Sequence, residues 1–400
     1  MPATSAERMR AWHGPALLTY GFRPFFLLGA LWAALAMVLW VFALSGTLDL
    51  PTRLDPVSWH AHAFLFGYLG AIIAGFLLTA VPNWTGRLPV VGWSLGALVA
   101  LWVAGRAAVL VSATLPVWVA PAIDLSFPLA LGAVILREIV AGRNWRNLVV
   151  LALLGVFALA NLTFHVEALR GIHAAQGVGL RLGLSTVIVM IALIGGRIVP
   201  SFTRNWLVKR GATALPAPPM QRFDRVTLLA TPLALLVWTL LPGNPASGAA
   251  LLVIALLHSV RLARWRGHCT GAEPLVAVLH VAYALVPLGA LALGLATLRP
   301  GLVDPASAQH VWMAGATGLM TLAVMTRATL GHTGQALRAD RVTVAIYGLL
   351  LGSVAARLLA GLMPGHLGHH ASAILWIGAF AWFAAAYGPL LASPKKVTAR

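Results

Sequence analysis

The chain has 400 residues, of which 60% are apolar and only 10% charged, and it carries a formal net charge of +18. A soluble protein has roughly 25% charged residues, so this composition excludes an ordinary soluble domain. The single cysteine, Cys269, excludes an intrachain disulfide and a thiolate metal cluster.

The apolar runs are continuous rather than alternating, so backbone satisfaction in lipid calls for helices and not a barrel. The expected fold is an all-α polytopic membrane protein with about twelve transmembrane helices. The predicted spans are 24–45, 58–80, 93–111, 117–136, 147–169, 178–200, 226–242, 248–263, 274–297, 308–330, 343–363 and 371–391. The basic N-terminal residues Arg8 and Arg10 precede a run too long for a cleavable leader, and none is expected. The Pro-rich stretch around 215–219 predicts a cytoplasmic linker over 201–225 with little structure. It separates six spans from six within one membrane domain, and no repeat is evident between the halves.

The charges orient the spans. Twenty of the 28 bases fall on one side, while Arg53, Arg170 and Arg299 fall on the other. The positive-inside rule then places both termini in the cytoplasm of a multi-pass inner-membrane protein. The excess of bases therefore follows membrane topology, and no nucleic-acid partner is expected; the lipid bilayer is.

This orientation puts His60, His62, His165, His173, His310, His366, His369 and His370 at the outer face. Neutral imidazole suits haem iron and copper. His60 and His62, in Trp59-His60-Ala61-His62 at the start of span 2, point to nearly opposite flanks of a helix, so they suit two cofactors better than one. With His310 at the start of span 10, they are expected ligands. His366, His369 and His370, among Gly and Pro, read as water-exposed loop residues. His165 has Glu167 two residues on, either as a partner for its second ring nitrogen or as a plain helix-end contact.

At the inner ends of the spans stand Arg23, Asn83, Trp84, Arg87, Arg197, Arg327 and His332. Arginines there suit carboxylates such as haem propionates, or snorkel to lipid phosphate. Arg197 and Arg327 lie inside apolar helices and are expected to have internal partners. Asp124, the one acid deep in an apolar run, is expected to pair with Arg106. No P-loop, Gly-x-Ser-x-Gly or Cys-x-x-Cys-His motif occurs, so any haem is bound non-covalently.

Five segments together resemble the NnrS family of bacterial inner-membrane proteins. They are Gly21-Phe-Arg-Pro-Phe-Phe26, Trp59-His-Ala-His62, Ala74-Gly-Phe-Leu-Leu-Thr-Ala-Val-Pro-Asn-Trp-Thr-Gly86, the segment 195–205 and Val324-Met-Thr-Arg-Ala-Thr-Leu-Gly-His-Thr-Gly334. The resemblance implies a haem b and copper protein of the nitric oxide and nitrosative-stress response. It would bind or turn over nitric oxide or iron–nitrosyl species, with electrons from a quinol or a donor protein. His60 and His62 would each hold a haem, with His310 opposite, and His165 and His173 would hold copper or a further haem. Arg197 and Arg327 would neutralise propionates, with Trp59, Arg23 and His332 in the same motifs. The twelve-span plan is also similar to the catalytic subunit of haem–copper oxidases, an analogy of fold alone. The family pattern often has Glu after the second His; here that position is Ala63. The alternative functions are a transporter of a small anion or metal–nitrosyl complex, and a haem sensor without turnover.

Overall fold

The computed structural model describes residues 12–363 and 365–394. Among them the chain is built of helices joined by short turns, with no strand. The long helices are α1 (Phe22–Leu44), α2 (Pro56–Thr85), α3 (Trp93–Leu110), α4 (Val119–Ala141), α5 (Leu148–Leu169) and α6 (Val178–Lys209). They continue as α7 (Arg222–Leu240), α8 (Pro245–Ala263), α9 (Pro274–Leu298), α10 (305–333), α11 (Arg341–Leu359) and α12 (Leu367–Ala392). Eleven are long and apolar enough to cross a membrane. The exception is α10, which carries Arg327, His310, His332 and a series of threonines. Those threonines satisfy their own hydroxyls: Thr321 donates to Thr317 O at 2.7 Å and Thr326 to Leu322 O at 2.9 Å. A hydroxyl bonded back into its own helix is tolerated in apolar surroundings.

Local chemistry sets where the helices begin. In α2, Asp55 caps the helix by accepting from Ser58 N at 2.9 Å, with Pro56 in the first turn. In α10, Asp304 does the same for Ser307 N at 2.8 Å, ahead of Pro305. Such a cap satisfies one of the amides that the first turn leaves orphaned, and proline there loses nothing. Partial burial works against both carboxylates, yet these hydrogen bonds outweigh it and hold Asp55 and Asp304 below the usual carboxylate range. Gln221 and Asp224 form a reciprocal capping box on α7.

The 201–225 segment departs from expectation. Helix α6 continues to Lys209 and α7 starts at Arg222, so the connection is confined to 210–221. The last turns of α6, with Ser201, Arg204 and Asn205, are polar enough to look like linker yet hydrogen-bond helically.

Three helices are interrupted by a wider π-helical turn: α2 at Ala63–Tyr68, α6 at Ile191–Gly195 and α10 at Val311–Ala316. Such turns displace carbonyls from the regular ladder and recur at functional sites. In α2 the displaced carbonyls find indole partners: Trp32 Nε1 donates to Ala63 O at 2.9 Å and Trp102 Nε1 to Gly67 O at 3.0 Å.

The π turns expose a repeat absent from the sequence reading. Both α2 and α10 open with Asp-Pro-x-Ser, place a histidine (His62, His310) immediately before a six-residue π turn, and carry Gly67 and Gly315 at its fifth position. Gly70 matches Gly318, and the helices end on Thr85-Gly86 and Thr333-Gly334, both glycines left-handed at φ 68° and 79°. The repeat relates spans 2 and 10, not one half of the chain to the other, and the caps are offset by one residue. A comparison of halves therefore misses it.

By packing, the chain divides into two compact units. The first gathers the described residues of Met1–Gly183, Ala328–Ala336 and Phe380–Arg400; the second gathers Leu184–Arg327 and Leu337–Ala379. The core of the first contains Phe25, Leu77, Trp102, Phe127, Leu131 and Leu154, from α1 through α5.

Candidate metal centre

The first unit holds a polar cluster enclosed by apolar helices. Helix α2 supplies His62, the last residue before its π turn, and α4 supplies Asp124. Helix α5 supplies Asn161 and His165, one helical turn apart, and α3 supplies Arg106. All are buried: Asp124 and His62 are each 1% exposed and His165 5%.

One carboxylate oxygen gathers most of the cluster. His62 Nε2 lies 3.1 Å from Asp124 Oδ2, His165 Nε2 lies 3.0 Å from it, and Asn161 Nδ2 donates to it at 2.8 Å. His62 Nε2 is also 3.0 Å from Asn161 Oδ1. The other oxygen, Oδ1, accepts from Arg106 Nη2. The ligand atoms of His62, Asp124 and His165 lie within 4.8 Å of one another. The imidazole rings of His62 and His165 are 4.9 Å apart, with Phe66 and Phe164 against His62 at 5.3 and 5.5 Å.

The Asp124–Arg106 pair expected from sequence is present. A buried carboxylate and guanidinium are sustained by each other, since either alone would leave an uncompensated charge. Arg106 is wedged against Gly67 of the π turn, where a Cβ would stand 2.6 Å from its Nη1. Nε and Nη1 of Arg106 and Nδ1 of His62 are buried with no hydrogen-bond partner among the described residues. Two clefts reach the cluster. One, narrow enough to hold about one water-sized molecule, is lined by Arg106, Asp124 and Asn161 together with Phe66, Phe127 and Phe157. The other, also narrow, runs from Arg53 and Ser112 to His165.

The remaining sequence candidates fall elsewhere. His60 turns away from His62, as the helical spacing requires, and stacks on Trp40 of α1 at 4.4 Å. Trp59 is buried at 1% exposure. His173 lies at the surface, 3.1 Å from Asp55 Oδ2, and does not join His165. Glu167 is not the partner of His165. Its carboxylate accepts from Val178 N at 2.7 Å and Gly179 N at 3.1 Å, because the amides opening α6 need an acceptor. Asp124, from another helix, takes the imidazole instead.

The inner arginines also differ from expectation. Arg23 is buried but serves the end of α12, donating to Leu391 O at 2.8 Å and Ser393 O at 2.6 Å. Orphan carbonyls at a helix terminus, not a propionate, are its partners. Arg197 is exposed and not internally paired, because it sits where α6 turns from apolar to polar. Arg327 has an internal neighbour, the ring of Phe202 at 4.0 Å. The exposed His332 ring packs 5.2 Å from Phe22.

In the second unit His310 is half-buried, and its Nδ1 donates to Ala306 O at 2.7 Å. His369 and His370 are helical, in the first turn of α12, rather than in a loop.

The residues present fit a metal ion at the first-unit cluster. Each imidazole nitrogen lies 3.0–3.1 Å from the carboxylate oxygen and all three atoms lie within 4.8 Å of one another, a spacing that neighbouring ligands around a small cation can have, where metal–ligand bonds are about 2.0–2.2 Å. They do not fit a porphyrin, since both Nε2 atoms face the carboxylate instead of an open cavity.

Comparison with known proteins agrees with the motifs. A family model described as NnrS protein matches residues 16–395, and the chain belongs to the NnrS family. That membership places it broadly in the nitric oxide response of a multi-pass membrane protein. No curated protein matches it.

Proposed function

We propose that this NnrS-family protein binds nitric oxide at a metal ion held by His62, Asp124 and His165. The convergence of two buried imidazoles on one carboxylate oxygen carries the reading, because it sets two nitrogen donors and one oxygen donor around a single point. Copper suits imidazole and carboxylate together, and it is the metal this reading favours. A bound ion would supply a Lewis-acidic centre with positions left for a small ligand.

The chain's own residues do the rest. Arg106 donates to one oxygen of Asp124 and fixes it, leaving the other for the metal. Asn161 sets the carboxylate's orientation, as outer partners of metal ligands do. The aromatic cleft of Phe66, Phe127 and Phe157 admits a small, weakly polar diatomic and keeps bulk water from the donors. Arg106 Nε and Nη1, without partners, offer N–H groups beside that cleft to the oxygen of a bound ligand.

Haem b requires another seat. His60 and His310 stay as its candidate ligands, and His310 has the better geometry: a histidine that donates Nδ1–H to a carbonyl presents Nε2 for axial ligation. A transporter would use Arg197 and Arg327 as buried substrate contacts, and Arg197 is exposed. Orientation with both termini inside an inner membrane follows from the distribution of bases and belongs to this proposal.

The test is nitric oxide added to detergent-purified, copper-loaded protein, read by optical and paramagnetic resonance spectra. A spectral change that disappears in His62→Ala and Asp124→Asn is expected. A change that survives both substitutions contradicts the assignment.

A further inference from the structure

The three ligands of the proposed centre come from helix ends on one side of the first unit. His62 is the seventh residue of α2, Asp124 the sixth of α4 and His165 the fifth from the end of α5. At a helical rise of about 1.5 Å per residue, each lies roughly 6–9 Å inside its helix end. The far end of α2, at Thr85, is more than about 30 Å from His62. The near face, with the connections 45–55, 111–118 and 170–177, is therefore the short way from water to the centre.

That face has an opening. The narrow cleft that ends on His165 starts at Arg53 and Ser112 and passes Val117, Ala120 and Pro121. It has space for about two waters. Its wall is apolar between the mouth, where Arg53 is exposed, and the floor, where His165 is buried.

The mouth is built by hydrogen bonds. Ser112, buried, accepts from Arg53 N at 2.9 Å, and its hydroxyl lies 3.1 Å from that of Thr52. Ala113 N donates to Pro51 O at 3.1 Å. The Arg53 guanidinium crosses to the same turn, with Nη2 donating to Leu115 O at 2.7 Å. These bonds strap residues 51–53 to the turn 111–115. Arg106, deep in the cluster, is neutralised by Asp124, whereas Arg53 forms no ion pair among the described residues. The strap thus fixes an uncompensated positive charge at the rim. In a cleft this narrow few waters and counter-ions stand between that charge and a passing ion, so screening is weak.

We propose that this cleft is the aqueous route to the metal centre, and that Arg53 makes it selective, passing small neutral or anionic ligands and opposing cations. The proposal rests on the His62, Asp124 and His165 reading for what lies at the end of the route. One consequence concerns the bound ion itself: a cation leaving by this path meets the same guanidinium, so Arg53 slows loss of the metal.

The test needs no metal. In a Cys269→Ser background, Ala120→Cys places a thiol on the buried cleft wall, with Ala168→Cys as a second reporter on the same wall. Each protein, folded in detergent, is treated with 2-hydroxyethyl or 2-aminoethyl methanethiosulfonate, equal in size and different in charge. Rates are read by mass spectrometry relative to free cysteine. The neutral reagent is expected to react roughly ten- to a hundredfold faster than the cationic one, the range for one charge passing another between aqueous and protein dielectric. Arg53→Ala should bring the two rates together, and Arg53→Lys, which keeps the charge, should keep them apart. Equal rates in both variants would make Arg53 a tie to Leu115 alone and overturn the selectivity. Inertness of both thiols in monodisperse protein overturns the route. Copper-loaded protein then gives the second readout: Arg53→Ala should start with the same copper content and lose it to excess chelator about tenfold faster. Unchanged loss contradicts the proposal, whereas a wild type that takes up no copper overturns the metal reading and leaves the thiol result standing.

Discussion

The polar hearts of the two units use one device to different ends. In the first unit Arg106 pairs with Asp124 and presses on Gly67 in the π turn of α2. In the second, Arg261 donates to Asp224 at 2.7 Å and to Ala192 O in the π turn of α6 at 2.8 Å, and presses on Gly196. The difference is what surrounds the pair. Arg261 also donates to the Tyr283 hydroxyl at 2.9 Å, and His258 has hydroxyls on both nitrogens, Tyr283 at 2.8 Å and Thr231 at 2.9 Å. The His258 ring is closed, with a partner on each nitrogen, although Arg261 Nη2 is buried with no hydrogen-bond partner among the described residues. Around Asp124 two imidazoles compete for one oxygen and His62 Nδ1 has none, so the first network has capacity left for a ligand. What separates the two is the second imidazole and the shared carboxylate oxygen, which the His258 network lacks.

The sharpest way to break the comparison is to remove one member of each ion pair. Asp124→Ala and Arg261→Met each strand a buried charge, and each is expected to cost about 3–5 kcal/mol. Thermal unfolding in detergent should show both strongly destabilised, while only Asp124→Ala also abolishes metal. Equal loss of metal in both would erase the distinction. Next in size is Gly196→Ala, whose Cβ would stand 2.1 Å from Arg261 Nη2. Overpacking of this kind costs about 1–3 kcal/mol, and unfolding should report it without a change in metal content.

The histidines then separate by readout. His258→Phe should lower stability by about 1–3 kcal/mol by leaving Tyr283 and Thr231 short of a partner, with metal content intact. His62→Ala should lose the metal. The smallest effect is at the surface, where His173 pairs with Asp55. The carboxyl of Asp55 is held below its ordinary value because its hydrogen bonds with Ser58 and His173 outweigh partial burial. Its contribution is therefore present above the unfolded pKa and fades as pH falls through the lower folded value. An exposed pair is worth about 0–1 kcal/mol, so His173→Ala should narrow stability only slightly, and a large loss near neutral pH would show that the pair does more.

Much of the helical plan was legible because length and apolarity are local properties. The Asp124–Arg106 pair was legible too, since a lone acid in a membrane span demands a cation and α3 offered one. The partner of His165 was not. Glu167 stands two residues away in sequence, but the open amides of α6 claim it, and Asp124 arrives from 41 residues upstream. The equivalence of His62 and His310 was hidden for a related reason. It rests on two π turns and a few glycines, while the surrounding apolar residues interchange freely.

The most direct measurement is X-ray absorption at the edge of the metal bound to the purified wild-type protein. The account predicts a first shell of nitrogen and oxygen with the outer scattering of two imidazoles, lost in Asp124→Ala. A porphyrin pattern, or no bound metal in a folded protein, would contradict the assignment of His62, Asp124 and His165 as the metal centre.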